Sequence, residues 1–228
     1  MGLLEKKQAI KHKLLKDSYN NDYTNPAYIR TCMLIEKMDE ANIPNGYWFY
    51  KMDNFYGSIH LKKVVDEYLN NIQQNYLDGL SICLSGSQGT GKTMSSVCIL
   101  KKALKKNYSA FYITASDMFS DLTDSGTSNE TKKKLKNVDF LVIDELDSRF
   151  FPSNNAKELF SSIYENIFRF RTHNGMPTII CTNETSGLSD VFYGMCKKSI
   201  DSLNAQYLKF YPVAGKDVRY GKQDESKG

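Results

Sequence analysis

Eight consecutive residues, Gly86-Ser87-Gln88-Gly89-Thr90-Gly91-Lys92-Thr93, fit the pattern G-x-x-x-x-G-K-[ST] at every fixed position. Glycines allow successive backbone N–H groups to turn inward around a phosphate, and a helix opening near Lys92 aims its positive end at the same anion. Lys92 would reach the β- and γ-phosphates of a nucleotide such as ATP, and the Thr93 hydroxyl would ligate Mg²⁺. Further along, the run Phe140-Leu141-Val142-Ile143 closes on Asp144 and Glu145. Asp144 suits the Mg²⁺ shell, and Glu145 suits a base that orients or deprotonates the attacking water. A third apolar run, Thr178 to Thr182, delivers Asn183, an amide able to bond the γ-phosphate or that water. An ordinary strand end and a turn amide are the alternative readings of these last two features.

These groups meet only if the right elements carry them. Leu80 to Ser85, Tyr108 to Thr114, Val138 to Ile143, Thr178 to Asn183 and Leu208 to Val213 read as strands, and the continuous apolar run Phe140 to Ile143 suits a fully buried parallel strand. Ligands gather at the carboxyl ends of such strands, where the loop, the acids and the amide fall. Helical spacing predicts helices over 58–74, 94–106, 153–170 and 189–204, with an N-cap near 115–117. The polar stretch 122–131 reads as an exposed loop, followed by Lys132, Lys133, Lys134 and Lys136, a cluster suited either to phosphate backbone or to solvent.

Before the breaker cluster at 42–47, residues 1–43 form a lysine-rich arm with helices predicted over 3–16 and 27–41 around a turn-rich break. Its apolar content is too small for a core of its own, so it should dock on the main domain or on a partner. The aromatic patch Tyr47-Trp48-Phe49-Tyr50 with Phe55 and Tyr56 could wall a base or pack in the core. Residues 44–219 are expected to form the nucleotide-binding domain and 220–228 a disordered tail.

Composition narrows the class. Of 228 residues 41% are hydrophobic and 25% charged, as in an ordinary globular protein, and no apolar run approaches a membrane span. The N-terminal residues lead into charge rather than an apolar segment, so no secretory signal is read and a cytoplasmic location is expected. Cys32, Cys83, Cys98, Cys181 and Cys196 include no C-x-x-C pair, which argues for a reducing compartment and against zinc. His12, His60 and His173 stand at no metal-ligand spacing. A net charge of +4 is too balanced to establish nucleic-acid binding by itself.

The ordered set of motifs resembles the DnaC/IstB-type AAA+ ATPases over about residues 41 to 219. Ala41-Asn42-Ile43-Pro44 with Asn54-Phe55 is similar to that family's opening segment, Gly86 to Thr93 to its phosphate loop, and Thr114-Ala115-Ser116-Asp117 to its second-strand exit. Phe140 to Glu145 is similar to its acidic strand. Arg171 with Pro177 to Asn183 resembles its sensor segment, and Gly215-Lys216-Asp217-Val218-Arg219 its closing motif. The resemblance implies an α/β P-loop NTPase fold of AAA+ type with a five-stranded parallel sheet flanked by helices; with the arm read from residues 1–43, the expected chain has a short helical N-terminal arm and no separate C-terminal lid domain. It also implies ATP hydrolysis with Mg²⁺, sites shared between copies in a homo-oligomer, and a loader acting on a replicative DNA helicase and single-stranded DNA. A transposition helper ATPase on duplex DNA and an ATP-gated module with little turnover are the alternatives. Two departures stand out: the arm before residue 41 is short for a loader's helicase-binding domain and has no zinc-ligand set, and where the family places an arginine finger, Ile200-Asp201-Ser202-Leu203 carries a serine, with Lys197 and Lys198 the nearest replacements. Lysine lacks the fork geometry of arginine.

Overall fold

The computed structural model describes residues 3–19, 24–55, 57–124, 126 and 128–215. Strands β1 (Ser81–Ser85), β2 (Ala110–Thr114), β3 (Phe140–Asp144), β4 (Thr178–Thr182) and β5 (Leu208–Pro212) form one all-parallel sheet in the order β2-β3-β4-β1-β5. Their side chains alternate between two apolar layers, as a period of two requires. Ile82, Leu84, Tyr112, Val142, Ile179 and Cys181 lie in one layer, and Cys83, Phe111, Ile113, Leu141, Ile143 and Ile180 in the other.

The first layer is shared with residues of α1 (Leu3–Tyr19), α2 (Pro26–Glu40), α3 (Ile59–Asn70), α4 (Ile72–Leu77) and α5 (Lys92–Lys105). The second is shared with α6 (Ala115–Thr123), α7 (Ser128–Asn137), α8 (Asn154–His173) and α9 (Lys197–Tyr207). Local chemistry sets several helix starts. Asn25 accepts from the Ala27 N–H ahead of Pro26, Thr114 from the Asp117 N–H, and Ser153 from the Ala156 N–H.

The arm docks on the sheet domain. Leu15, Ile35, Met38, Ala41 and Ile43 are buried in the same cluster as Val97, Leu100 and Leu104 of α5. Where the arm ends, Ala41 accepts a hydrogen bond from the Tyr112 N–H (2.9 Å) and the Asn42 amide donates to the Tyr112 carbonyl (3.0 Å). These two bonds occupy backbone groups on the open side of β2, the edge strand, where an uncovered ladder would invite pairing with another chain.

Several expectations shift. The helix over 58–74 is broken at Asn71 into α3 and α4. Helix α7 starts at Ser128, inside the expected loop, because buried Leu135 anchors it and the Ser128 N–H reaches the Asp124 carbonyl. In place of a helix from Ser189, residues 189–196 make turns around buried Val191 and Phe192, with Gly187 and Gly194 at positive φ, and α9 begins at Lys197. Helix α1 runs on to Tyr19, past the expected end at Lys16. Residues 216–219 of the closing motif and the tail 220–228 lie outside the described residues.

Arg171 is a larger correction. It is fully buried at the amino ends of β3 and β4, the edge opposite the phosphate loop. Its guanidinium donates to the carbonyls of Leu135 (2.9 Å), Val138 (2.7 Å), Asp139 (3.3 Å) and Pro177 (2.7 Å) and to the Thr178 hydroxyl (2.9 Å). It fastens α7 and α8 to the sheet and faces away from any nucleotide. Burial in this carbonyl cage lowers its pKa to about 9.

Candidate nucleotide site

Gly86 to Gly91 link β1 to α5 at the carboxyl edge of the sheet. Two glycines are there because a side chain would not fit. A Cβ on Gly86 would stand 2.1 Å from the Val213 carbonyl oxygen, at the end of β5. Gly91 has φ +94°, and its Cβ would lie 2.5 Å from the Phe55 ring. Phe55 therefore packs on the loop, whereas Trp48 of the same aromatic patch is buried with its indole N–H on the Ile43 carbonyl (2.9 Å). Within the loop, the Thr90 hydroxyl donates to the Ser87 carbonyl (2.9 Å). The Lys92 ammonium folds back onto the carbonyls of Gly86 (2.6 Å) and Ser87 (2.8 Å) and onto Asn183 Oδ1 (2.9 Å). The loop lysine and the β4 amide are thus in direct contact. Thr93 follows in the first turn of α5.

At the end of β3, Asp144 is 2% exposed; its Oδ2 accepts from the Tyr112 hydroxyl (2.7 Å) and its Oδ1 from the Glu145 N–H (2.8 Å). Burial and the Asp144 charge push the Tyr112 phenol far up, so Tyr112 is a neutral donor. Glu145 is exposed and has φ +55°, a left-handed conformation that costs a non-glycine residue energy. Desolvation, then the charges of Asp144 and Asp147, raise its pKa, the direction useful to a general base.

Asp147 escaped sequence reading, although it lies only three residues past Asp144. It is 1% exposed and accepts from the Asn183 N–H (2.6 Å), Asn183 Nδ2 (2.7 Å), the Thr182 hydroxyl (3.1 Å) and Arg149 (3.1 Å). Desolvation works to raise its pKa, but hydrogen bonds from Asn183, Arg149 and Thr182 outweigh it and hold the carboxyl below the usual range. The orientation of Asn183 follows. An ammonium only donates and a carboxylate only accepts, so the amide oxygen must face Lys92 and the NH₂ must face Asp147. Neighbouring loops are tied too, since Glu184 Oε1 accepts from the Ser148 N–H (2.8 Å) and hydroxyl (2.6 Å), and its carbonyl accepts from Ser85 Oγ (2.5 Å).

Other candidates are spoken for. Lys134 donates to the Glu40 carbonyl (3.0 Å) and sits over the Phe111 ring, and Lys136 sits over Phe170, leaving Lys132 and Lys133 as the outward members of that cluster. Lys197 bonds Ser189 and Asp201 of its own chain, while Ser202 and Lys198 are exposed on α9.

A parallel sheet of this order, a glycine loop running into a helix after its β1, and acids at the end of β3 define a P-loop NTPase of AAA+ type. The sequence profile of the family described as IstB-like ATP binding protein matches residues 68–187, and the chain belongs to that family. Similar proteins include the replicative helicase loader DnaC of Escherichia coli strain K12, 37% identical over 90 residues that cover 37% of this chain and 34% of DnaC. An ATP-binding protein of insertion sequence IS5376 from Geobacillus stearothermophilus is 28% identical over 110 residues, 47% of this chain and 41% of that protein. The matched stretch is therefore less than half the length of either relative. In fold, the chain is similar to a crystal structure of DnaI, with TM-score 0.64 and 18% identity over 77% of this chain and 93% of that one. A crystal structure of the DnaC helicase loader gives 0.61 and 20% over 75% and 100%. No helix among the described residues is long and apolar enough to cross a membrane.

Proposed function

We propose that the chain is an ATP-dependent loader of the replicative DNA helicase, which binds and hydrolyses ATP to control helicase assembly on single-stranded DNA. The observation that carries the ATPase half is the 2.9 Å contact between Lys92 and Asn183, which joins the phosphate loop to the exit of β4. Gly86 and Gly91, where any side chain would collide, fit a loop that lets a phosphate approach the backbone. In this reading Gly86 to Gly91 cradle the phosphates with their N–H groups. Lys92 turns from its loop carbonyls to the β- and γ-phosphates. Thr93 and Asp144 would hold Mg²⁺, a hard cation suited to hydroxyl and carboxylate oxygens. The ion would neutralise charge on the phosphates. Glu145 takes the proton of the attacking water, and Asn183 positions that water or the γ-phosphate.

The loader half rests on the 37% identity to a protein described as a replicative helicase loader. The domain division 1–43, 44–219 and 220–228 belongs to the same proposal. The arm uses one face in the core and leaves Ile29 and Met33 about half exposed on α2, a surface for the helicase. Lys132 and Lys133 would lie near the DNA. The loader would act in the cytoplasm, as a homo-oligomer once assembled with helicase. The test is pull-down of the replicative helicase at low salt, with and without ATP. Association is expected, and none under either condition would refute the loader role.

A second reading, a transposition helper on duplex DNA, is favoured by the insertion-sequence relative and the family description. Tight duplex binding with indifference to helicase would select it. Ser202 favours a third, an ATP-gated module with little turnover, which multiple-turnover phosphate release with helicase and single-stranded DNA would eliminate.

A further inference from the structure

Among the arginines of the described residues, most are committed elsewhere. Arg171 is caged at the far edge of the sheet. Arg169 is held by Glu165 (2.6 Å) and Ser199 on the outer side of α8, and Arg30 lies on α2 of the arm. Arg149 differs. It stands four residues beyond Glu145 in the short turn Ser148–Phe150 that follows β3, and it bonds Asp147, the carboxylate that orients Asn183. Three hydrogen bonds thus run from Arg149 through Asp147 and Asn183 to Lys92.

We propose that Arg149 is the cation that answers the γ-phosphate from within the same chain, parked on Asp147 until ATP arrives. The proposal rests on the ATP-site reading above. Four features support it. The Arg149 side chain is 56% exposed, lies over the Phe150 ring at 6.0 Å and is joined to Asp147 by a single hydrogen bond of 3.1 Å, so its guanidinium has one polar bond to give up on redirection. Asp147 keeps the Asn183 N–H, the Asn183 NH₂ and the Thr182 hydroxyl when Arg149 leaves, so its buried carboxylate remains hydrogen-bonded by three neutral donors. The turn is fixed where it must be, because Ser148 is pinned twice by Glu184 while its neighbour projects outward. Finally, α9 supplies no arginine at Ser202, and Lys197 is bound to Ser189 and Asp201. A guanidinium delivered from the site's own exit loop is the kind of charge that stabilises phosphoryl transfer whether supplied in cis or in trans.

The experiment titrates fluorescent ATP and ADP analogues with Mg²⁺ into the full chain, its Arg149→Gln and Arg149→Lys variants, and Lys92→Ala. Arg149→Gln is expected to lose roughly tenfold or more of its preference for ATP over ADP, the scale of a charge-assisted bond to phosphate, with ADP affinity at the wild-type level. Arg149→Lys should recover part of that preference. The preference should also be independent of protein concentration. An unchanged ATP to ADP ratio in Arg149→Gln, an equal loss of both nucleotides, or a ratio that grows with protein concentration would overturn the proposal. Lys92→Ala keeps the underlying reading separate: undiminished binding there sinks the ATP site itself, whereas its loss beside an unaltered Arg149→Gln sinks only the role of Arg149.

Discussion

Replacing Asp147 with alanine removes the acceptor that joins β3's exit to β4's. Four donors lose their partner: the Thr182 hydroxyl, the Asn183 N–H and NH₂, and Arg149. Arg149 is half exposed and rejoins water at little cost. The Thr182 hydroxyl is 1% exposed and accepts from the Glu184 N–H (3.0 Å), so its hydrogen has nowhere else to go. Counting 1 to 3 kcal/mol for each inaccessible donor, Asp147→Ala should lose about 3 kcal/mol of stability. Urea unfolding reads this as a lower midpoint with an unchanged slope. The pH dependence carries a second signature. Asp147 is held below its unfolded pKa, so its contribution is present above about pH 4 and fades as pH falls through the folded value. The gap between wild type and Asp147→Asn should therefore close in acid. A loss below about 0.5 kcal/mol at neutral pH, within the range of an ordinary surface change, would refute the idea that Asp147 organises this corner.

Other expectations follow from the same contacts. Lys92→Ala should abolish binding of a fluorescent ATP analogue, whereas Glu145→Gln should bind ATP and stall before phosphate release; equal, undiminished hydrolysis by both would refute these roles. Gly86→Ala forces a methyl onto a backbone oxygen 2.1 Å away and should cost about 2 kcal/mol in chemical denaturation while weakening nucleotide binding. Ile35→Ala, in the arm but 2% exposed, should cost about 3 kcal/mol in the same cooperative transition as the sheet; a separate, earlier transition would mean that the arm folds independently.

The centre of the sheet was legible because β1, β3 and β4 are buried on both faces and so write themselves as short, largely apolar runs, whereas β5 at the edge is mostly exposed and carries Lys209. The glycine loop was legible because its spacing serves one chemistry. Contacts between distant segments were not. Nothing in the local pattern of Asp147 distinguishes a buried acceptor for Asn183 from one more surface acid, and only the parallel pairing of β3 with β4 brings the two together. Arg171 misled for the same reason: its sequence position beside β4 suggests the site, but it precedes the strand and so lies at the wrong edge. Residues 189–196 bury Val191 and Phe192 from turns, and that burial imitates a helical face in one dimension. Lysines 134 and 136 read as a charge cluster, yet aromatic rings from two other elements take up both.

The central claim is that ATP held by Lys92 drives helicase assembly on DNA. Its most direct measurement is transfer of purified replicative helicase onto closed circular single-stranded DNA, which offers no free end for threading. Wild-type protein with ATP should raise the DNA-bound helicase well above the helicase-alone level, and Lys92→Ala should not. Equal loading with wild type, with Lys92→Ala and without either protein would contradict the account.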